Sequence, residues 1–307
     1  MQQPTRHFLP VSGPVARDGG SRRMAYWDWP AQPAADSRRV VICVHGLSRQ
    51  GRDFDALAQA LQPYTRVLAV DVAGRGESDW LADPMAYQVG TYAADLAALV
   101  LKLRAEHPEV LMDFVGTSMG GLIGMALAAQ PGLGLRRLVL NDVGPVIQWE
   151  ALQRIGSYLG LDPSFASEQE AVDYLASISP GFGPHTPAQW LALSRPMLRE
   201  RNSRWWLHYD PAIAEPFKAL VGMANEAAAR QTVRDGETAL WELYDAIAAR
   251  TLLLRGADSD LLTHDTAAKM ASRGPCARCI EFAHVGHAPT LMVLDQIAAV
   301  QEFLGAP

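Results

Sequence analysis

Ser118 stands in the run Val115-Gly116-Thr117-Ser118-Met119-Gly120-Gly121, directly behind the apolar stretch 110–115 and ahead of a helix-forming stretch, 122–130. A serine hydroxyl becomes a nucleophile only when a neighbouring base takes its proton. The G-x-S-x-G spacing suits that chemistry, because a serine on a sharp strand-to-helix turn needs neighbours without bulk two positions to each side. Gly116 and Gly120 have no Cβ to strike the adjacent strand or helix. The helix that follows opens with free N–H groups, which favour negative charge. The buried-strand run 39–44 stops at His45-Gly46-Leu47, a loop able to aim the N–H of Leu47 at the same point as the N–H of Met119. Two such donors would hold the oxyanion of a tetrahedral intermediate. Further along, the strand-like run 251–254 enters Arg255-Gly256-Ala257-Asp258-Ser259-Asp260, and 280–283 leads into His284-Val285-Gly286-His287-Ala288-Pro289. Either histidine could be the base. The remaining requirement is a carboxylate that fixes the imidazole tautomer and stabilises its charged form. Asp258 and Asp260 are both available, and Asp142 ends another core strand, although its Asn-Asp-Val-Gly-Pro setting fits a structural turn better.

Side chains so far apart in sequence meet only if strands end together. The first 36 residues hold two candidate strands, roughly 8–11 and 24–29, and Asp18-Gly19-Gly20 between them is a hairpin signal. Strand 39–44, helix near 53–61, strand 66–71, helix near 89–106, strand 110–115, helix 119–130 and strand 136–141 then alternate. Such alternation predicts an α/β fold with a mostly parallel central sheet and helices on both faces. Ligands in these sheets bind at the C-terminal ends of the strands, where Ser118, Asp260 and the Leu47 loop fall. From 146 to 236 no strand is expected. Helical patches at 150–159, 168–178, 188–200 and 216–228 are split by Pro and Gly, and the sheet pattern resumes after 237–249 at Thr251. The expected organisation is a core of residues 1–145 and 237–307 with a helical cap insertion, residues 146–236, over the active site.

The 307 residues are 49% hydrophobic and 20% charged, ordinary for a globular chain with a large core. A net charge of −6 lacks the basic footprint of a nucleic-acid binder. No apolar run approaches the length of a membrane span, and the N-terminal residues show no secretory-type apolar segment, so the cytoplasm is the expected location. Of three cysteines, Cys43 reads as a small core hydrophobe, and the Cys276/Cys279 pair lacks the second pair a structural zinc site needs. Neither a metal nor an organic cofactor is expected. The expected partner is a small-molecule substrate, with no nucleic acid or membrane, and the oligomeric state stays open. Arg195, Arg199, Arg201, Arg204, Trp205 and Trp206 read as a solvated helix face with its tryptophans in the core. Arg49, two residues past Leu47, is better placed to meet a substrate carboxylate.

Taken together, His45-Gly46, the segment Asp71-Val72-Ala73-Gly74-Arg75-Gly76-Glu77-Ser78, the Gly116–Gly121 elbow, 256–260 and Gly286-His287-Ala288-Pro289 resemble an α/β-hydrolase over nearly the full chain. The order Ser, Asp, His is the one that belongs to that fold. Within it the chain resembles the lid-bearing group of carboxylesterases, enol-lactonases and carbon–carbon bond hydrolases of ring-cleavage products. Epoxide hydrolases and haloalkane dehalogenases of similar layout place an aspartate where this chain has Ser118. The resemblance implies Ser118 as nucleophile and His287, in a Gly-His step before a helix, as base. It implies Asp260 as acid, in a turn a few residues past the strand's glycine, and Leu47 and Met119 as oxyanion donors. It also implies structural roles for His45 and for the 71–78 turn. The activity implied is hydrolysis of a carboxylic ester or lactone through an acyl-enzyme. Carbon–carbon bond hydrolysis with the same residues is the alternative, although the oxyanion loop of that group is richer in glycine than His45 to Gln50. A noncatalytic ligand-binding protein of the same fold is a further alternative, and such proteins usually lose part of the triad.

Overall fold

The computed structural model describes residues 3–223 and 225–305. Its elements, in chain order, begin with β1 (Thr5–Val11), β2 (Arg22–Trp29), β3 (Arg39–Val44), α1 (Asp55–Leu61), β4 (Arg66–Val70), α2 (Val89–Glu106), β5 (Leu111–Thr117), α3 (Met119–Ala128) and β6 (Arg137–Asn141). An intervening segment holds α4 (Trp149–Tyr158), β7 (Ser164–Phe165), α5 (Glu168–Ser177), α6 (Pro187–Ser194), β8 (Leu198–Arg201), β9 (Arg204–Leu207) and α7 (Glu215–Val221). The chain closes with α8 (Glu226–Asp245), β10 (Arg250–Gly256), α9 (His264–Ser272), β11 (Arg278–Phe282) and α10 (Leu294–Gly305).

Eight strands form one sheet in the order β1-β2-β4-β3-β5-β6-β10-β11. The β1–β2 and β2–β4 pairs are antiparallel, and the other pairings are parallel. Parallel strands are covered on both faces and therefore read as continuous apolar runs rather than alternating ones. In β3, Val40, Ile42 and Val44 join the core under α2 and α3, whereas Val41 and Cys43 point the other way, against α1 and α10. Cys43 is thus the small core residue its setting suggests. Because the six parallel neighbours β4, β3, β5, β6, β10 and β11 run in one direction, the loops that leave them share one edge of the sheet.

The intervening segment departs from expectation in two ways. It contains a three-stranded sheet, β7-β9-β8, where no strand was expected. The stretch 188–200 is not one helix: α6 stops at Ser194, Pro196 follows without an N–H to continue it, and the chain passes into β8. Asn202 and Ser203, both at positive φ (53° and 57°), turn β8 into β9. Asn tolerates that region better than most residues. Arg199, Arg201 and Arg204 therefore lie on a hairpin and not on a helix, with Arg195 in the 3-10 turn before it, though all four are solvated as expected. Beyond the segment lies α8, a single 20-residue helix capped by Asn225, whose side chain accepts the Ala227 and Ala228 N–H groups. It runs straight through the boundary expected between 236 and 237. Among the described residues, no helix is long and apolar enough to cross a membrane.

Candidate active site

Ser118 occupies the turn between β5 and α3 with φ 52° and ψ −119°, a backbone conformation few non-glycine residues adopt. The turn is that sharp because nothing larger than hydrogen fits beside it. A Cβ on Gly116 would lie 2.3 Å from the Gly120 carbonyl oxygen, and one on Gly120 would lie 2.0 Å from that of Val44. The Ser118 N–H donates to the Asn141 carbonyl at the end of β6 (2.9 Å), and its own carbonyl accepts from Gly121 and Leu122. The hydroxyl is left facing the sheet's C-terminal edge.

The loop after β11 brings His287 to it. His287 Nε2 is 2.9 Å from Ser118 Oγ, and Nδ1 is 2.8 Å from Asp142 Oδ2. A carboxylate can only accept, so Nδ1 carries the proton and Nε2 presents its lone pair to the serine hydroxyl. The His287 side chain is 14% exposed and that of Asp142 fully buried. His284, the competing histidine, is exposed.

The carboxylate at His287 is therefore Asp142, and the expectation of Asp260 is corrected. Asp142 directly follows β6, which lies between β5 and β10, and its positive φ of 55° folds the side chain across the sheet end. Its N–H donates to the Leu254 carbonyl (2.8 Å). Its Oδ1 accepts the Gly256 N–H (2.9 Å), and its Oδ2 accepts from Ser259 Oγ (2.6 Å) as well as from His287. In the loop after β10 it is Ser259 that turns inward, leaving Asp258 and Asp260 on either side exposed. Asp260 instead forms a two-pronged ion pair with Arg154 of α4 (2.6 and 2.9 Å). One sequence signal pointed to Asp142: an acid that closes the core strand run 136–141, just past the apolar Leu138-Val139-Leu140.

The Leu47 loop passes close by, and a Cβ on Gly46 would sit 3.7 Å from Ser118 Cβ. The Leu47 carbonyl accepts from Arg75 Nε (2.8 Å). Arg75 is fully buried, donates also to the Ala73 carbonyl and the Tyr92 hydroxyl, and rests its Nη2 3.8 Å from Met119 Sδ. One guanidinium thus braces both the Leu47 loop and the first residue of α3, whose N–H has no intrahelical partner. The 71–78 segment is the structural turn its resemblance implied: Asp71 accepts N–H groups from Gly51, Glu77 and Trp27, and burial pushes its carboxyl up to about 6. His45 is likewise structural. Its Nε2 accepts the Val72 N–H while Nδ1 donates to the Gly46 carbonyl, and burial drives the imidazole down to about 3, so it is neutral. Arg49 is bound on two nitrogens by Asp53 (2.7 Å each), donates to the Leu193 carbonyl and stacks over Phe182. Its charge is already met, and it joins the Leu47 loop to the intervening segment.

That segment roofs the site. The turn Pro180–Phe182 rests on the His287 loop: the Gly181 carbonyl accepts the Gly286 N–H (2.7 Å), and a Cβ on Gly181 would lie 2.8 and 2.9 Å from the His287 backbone oxygen and nitrogen. His185 Nε2 meets Thr290 Oγ1 at 2.8 Å on the other side. Between roof and sheet lies a cavity of about 590 Å³ that opens onto Ser118 and His287 and is walled by Ile155, Leu175, Ile178, Met197 and Leu207.

A sequence model of the alpha/beta hydrolase family matches residues 41–300. The chain is 46% identical over 294 residues, 94% of either chain, to a 3-hydroxybutyrate-oligomer hydrolase of Cupriavidus necator. It is 27% identical over 237 residues, 77% of either chain, to a 2-(acetamidomethylene)succinate hydrolase of Mesorhizobium japonicum. Among solved structures it resembles an alpha/beta hydrolase from Novosphingobium aromaticivorans, with a TM-score of 0.80, 35% identity and 99% of either chain covered. With that sheet, that elbow and relatives of this kind, the chain belongs to the alpha/beta hydrolase family.

Proposed function

We propose that this hydrolase cleaves carboxylic esters of short hydroxy-acid oligomers through an acyl-enzyme formed on Ser118. The observation that carries the reading is the unbroken chain Ser118 Oγ, His287, Asp142, with links of 2.9 and 2.8 Å. As Ser118 Oγ attacks the ester carbonyl, its proton passes to His287 Nε2, and the imidazolium is held by the buried Asp142 carboxylate. The carbonyl oxygen gains negative charge and is received by the N–H groups of Leu47 and Met119. Collapse of the tetrahedral intermediate breaks the C–O bond, His287 gives its proton to the leaving alkoxide, and the acyl group stays on Ser118. Water then repeats the sequence with His287 as base, releasing the acid and the free serine. Residues 146–236 act as the cap, and their apolar side chains suit the hydrocarbon part of an acyl or alcohol group.

The substrate class follows the relative named a 3-hydroxybutyrate-oligomer hydrolase, similar over almost the entire chain. It favours ester over carbon–carbon cleavage, which would use the same residues. The test is release of hydroxy acid from 3-hydroxybutyrate oligomers, followed by chromatography, with Ser118→Ala alongside. Turnover by the wild type and a loss of about 10⁴-fold or more in Ser118→Ala are expected. No turnover of these oligomers would reject the substrate class, and an active Ser118→Ala would reject the mechanism.

A further inference from the structure

The hydroxyl of Ser259 has one orientation open to it. Its oxygen lies 3.1 Å from the Leu262 amide nitrogen and 3.3 Å from that of Leu261. Backbone amides only donate, so the oxygen must accept from them, and its own proton is left for Asp142 Oδ2 at 2.6 Å. Oδ2 is the atom that also takes the His287 Nδ1 proton, while the Gly256 N–H grips Oδ1. Held at both oxygens, the carboxylate cannot rotate about its Cβ–Cγ bond away from the imidazole. Ser259 is itself buried, and its N–H is committed to the Gly256 carbonyl (3.0 Å), so the loop offers its hydroxyl from a fixed point.

We infer that Ser259 is a positioning residue for the hydrolysis proposed above, acting through Asp142 and touching neither substrate nor nucleophile. The inference rests on the assignment of Ser118, His287 and Asp142. A hydrogen bond to a buried charge is among the stronger ones, and a misaimed acid weakens the base it serves. The loop after β10, whose two acidic residues lie exposed at the cavity's rim, thus serves the site through the serine between them.

Turnover of p-nitrophenyl butyrate by four proteins tests this: wild type, Ser259→Ala, Asp142→Asn and the double variant. Ser259→Ala is expected to lower kcat by about tenfold or more, with KM within about twofold. In the Asp142→Asn background the same substitution should change kcat by less than about twofold, because its target is already gone. A merely structural serine would cost the same factor in both backgrounds, and that result overturns the inference, as does wild-type kcat in Ser259→Ala. Should Ser259→Ala fail to fold, Ser259→Thr against Ser259→Val compares two side chains of similar size that differ in the hydroxyl. The threonine should be at least about tenfold faster, and equal rates overturn the proposal. Full activity in Asp142→Asn or Ser118→Ala would instead sink the underlying assignment, which separates the two failures.

Discussion

At the scale of single residues, the instructive pair is Asp142 and Asp260. Asp142 is fully buried and spends both oxygens on donors, one of them the imidazole, whereas Asp260 is half-exposed at the cavity's rim and pairs with Arg154. Asp142→Asn is expected to lower kcat by about 10³- to 10⁴-fold with the fold intact, through loss of the correct His287 tautomer. Asp260→Asn should keep kcat within about twofold and cost less than about 1 kcal/mol, since solvent-screened ion pairs contribute little. Steady-state kinetics and thermal unfolding of the two variants check both statements, and the reverse ranking would refute the assignment. The pairing of Ser118 with His287 was legible in the sequence because their settings are local: glycines two positions away for one, a Gly-His step for the other. The acid was not, because three acidic residues leave neighbouring strands at the same sheet edge. The choice among them hangs on the positive φ of Asp142 and on which residue of the Asp258-Ser259-Asp260 turn faces inward. Arg75 was read only as part of the structural 71–78 turn, since nothing in a surface-type residue announces that it will be buried as a brace.

At the scale of elements, strand and helix order in the core followed from apolar periodicity, and α2 was anticipated to the residue because 18 residues of helical pattern leave little ambiguity. The three short strands of the roof were not. With two to four residues each, they carry no readable period, and their pairing is set by contacts distant in sequence. The Pro180–Phe182 turn makes its own prediction. Gly181→Ala would drive a methyl into the His287 backbone, and the loop must shift to admit it. A displacement on the order of 1 Å at a catalytic group costs about 10²-fold in rate. Gly181→Ala should therefore lose kcat by roughly that factor while its unfolding midpoint falls by only a few degrees. An active variant would mean that the roof does not position the histidine.

At the scale of the whole molecule, the parallel sheet under two helical layers was readable from the alternation of elements, but the depth at which individual polar groups lie was not. That depth governs the response to acid. Burial drives His45 down to about 3, and burial together with the charge of Arg199 drives His208 down to about 4, whereas both ionise near 6.5 when unfolded. The unfolded chain then binds more protons than the folded one below 6.5, so stability is fully present above that pH and is lost as pH falls toward the folded values. His45 alone contributes a slope of about 1.4 kcal/mol per pH unit across that window. Asp71, pushed up to about 6 by burial, takes up a proton in the folded state and offsets part of this. Urea unfolding at pH 7 and pH 5.5 should therefore show a net loss on the order of 1–2 kcal/mol, and a gain at pH 5.5 would contradict the burial of these rings.

The backbone bond between Gly181 and Gly286 ties enclosure to competence. Peeling that turn upward would release the very segment that holds the imidazole against Ser118. Opening at any other seam of the roof would leave that bond, and with it the contact of His287 with Ser118, in place.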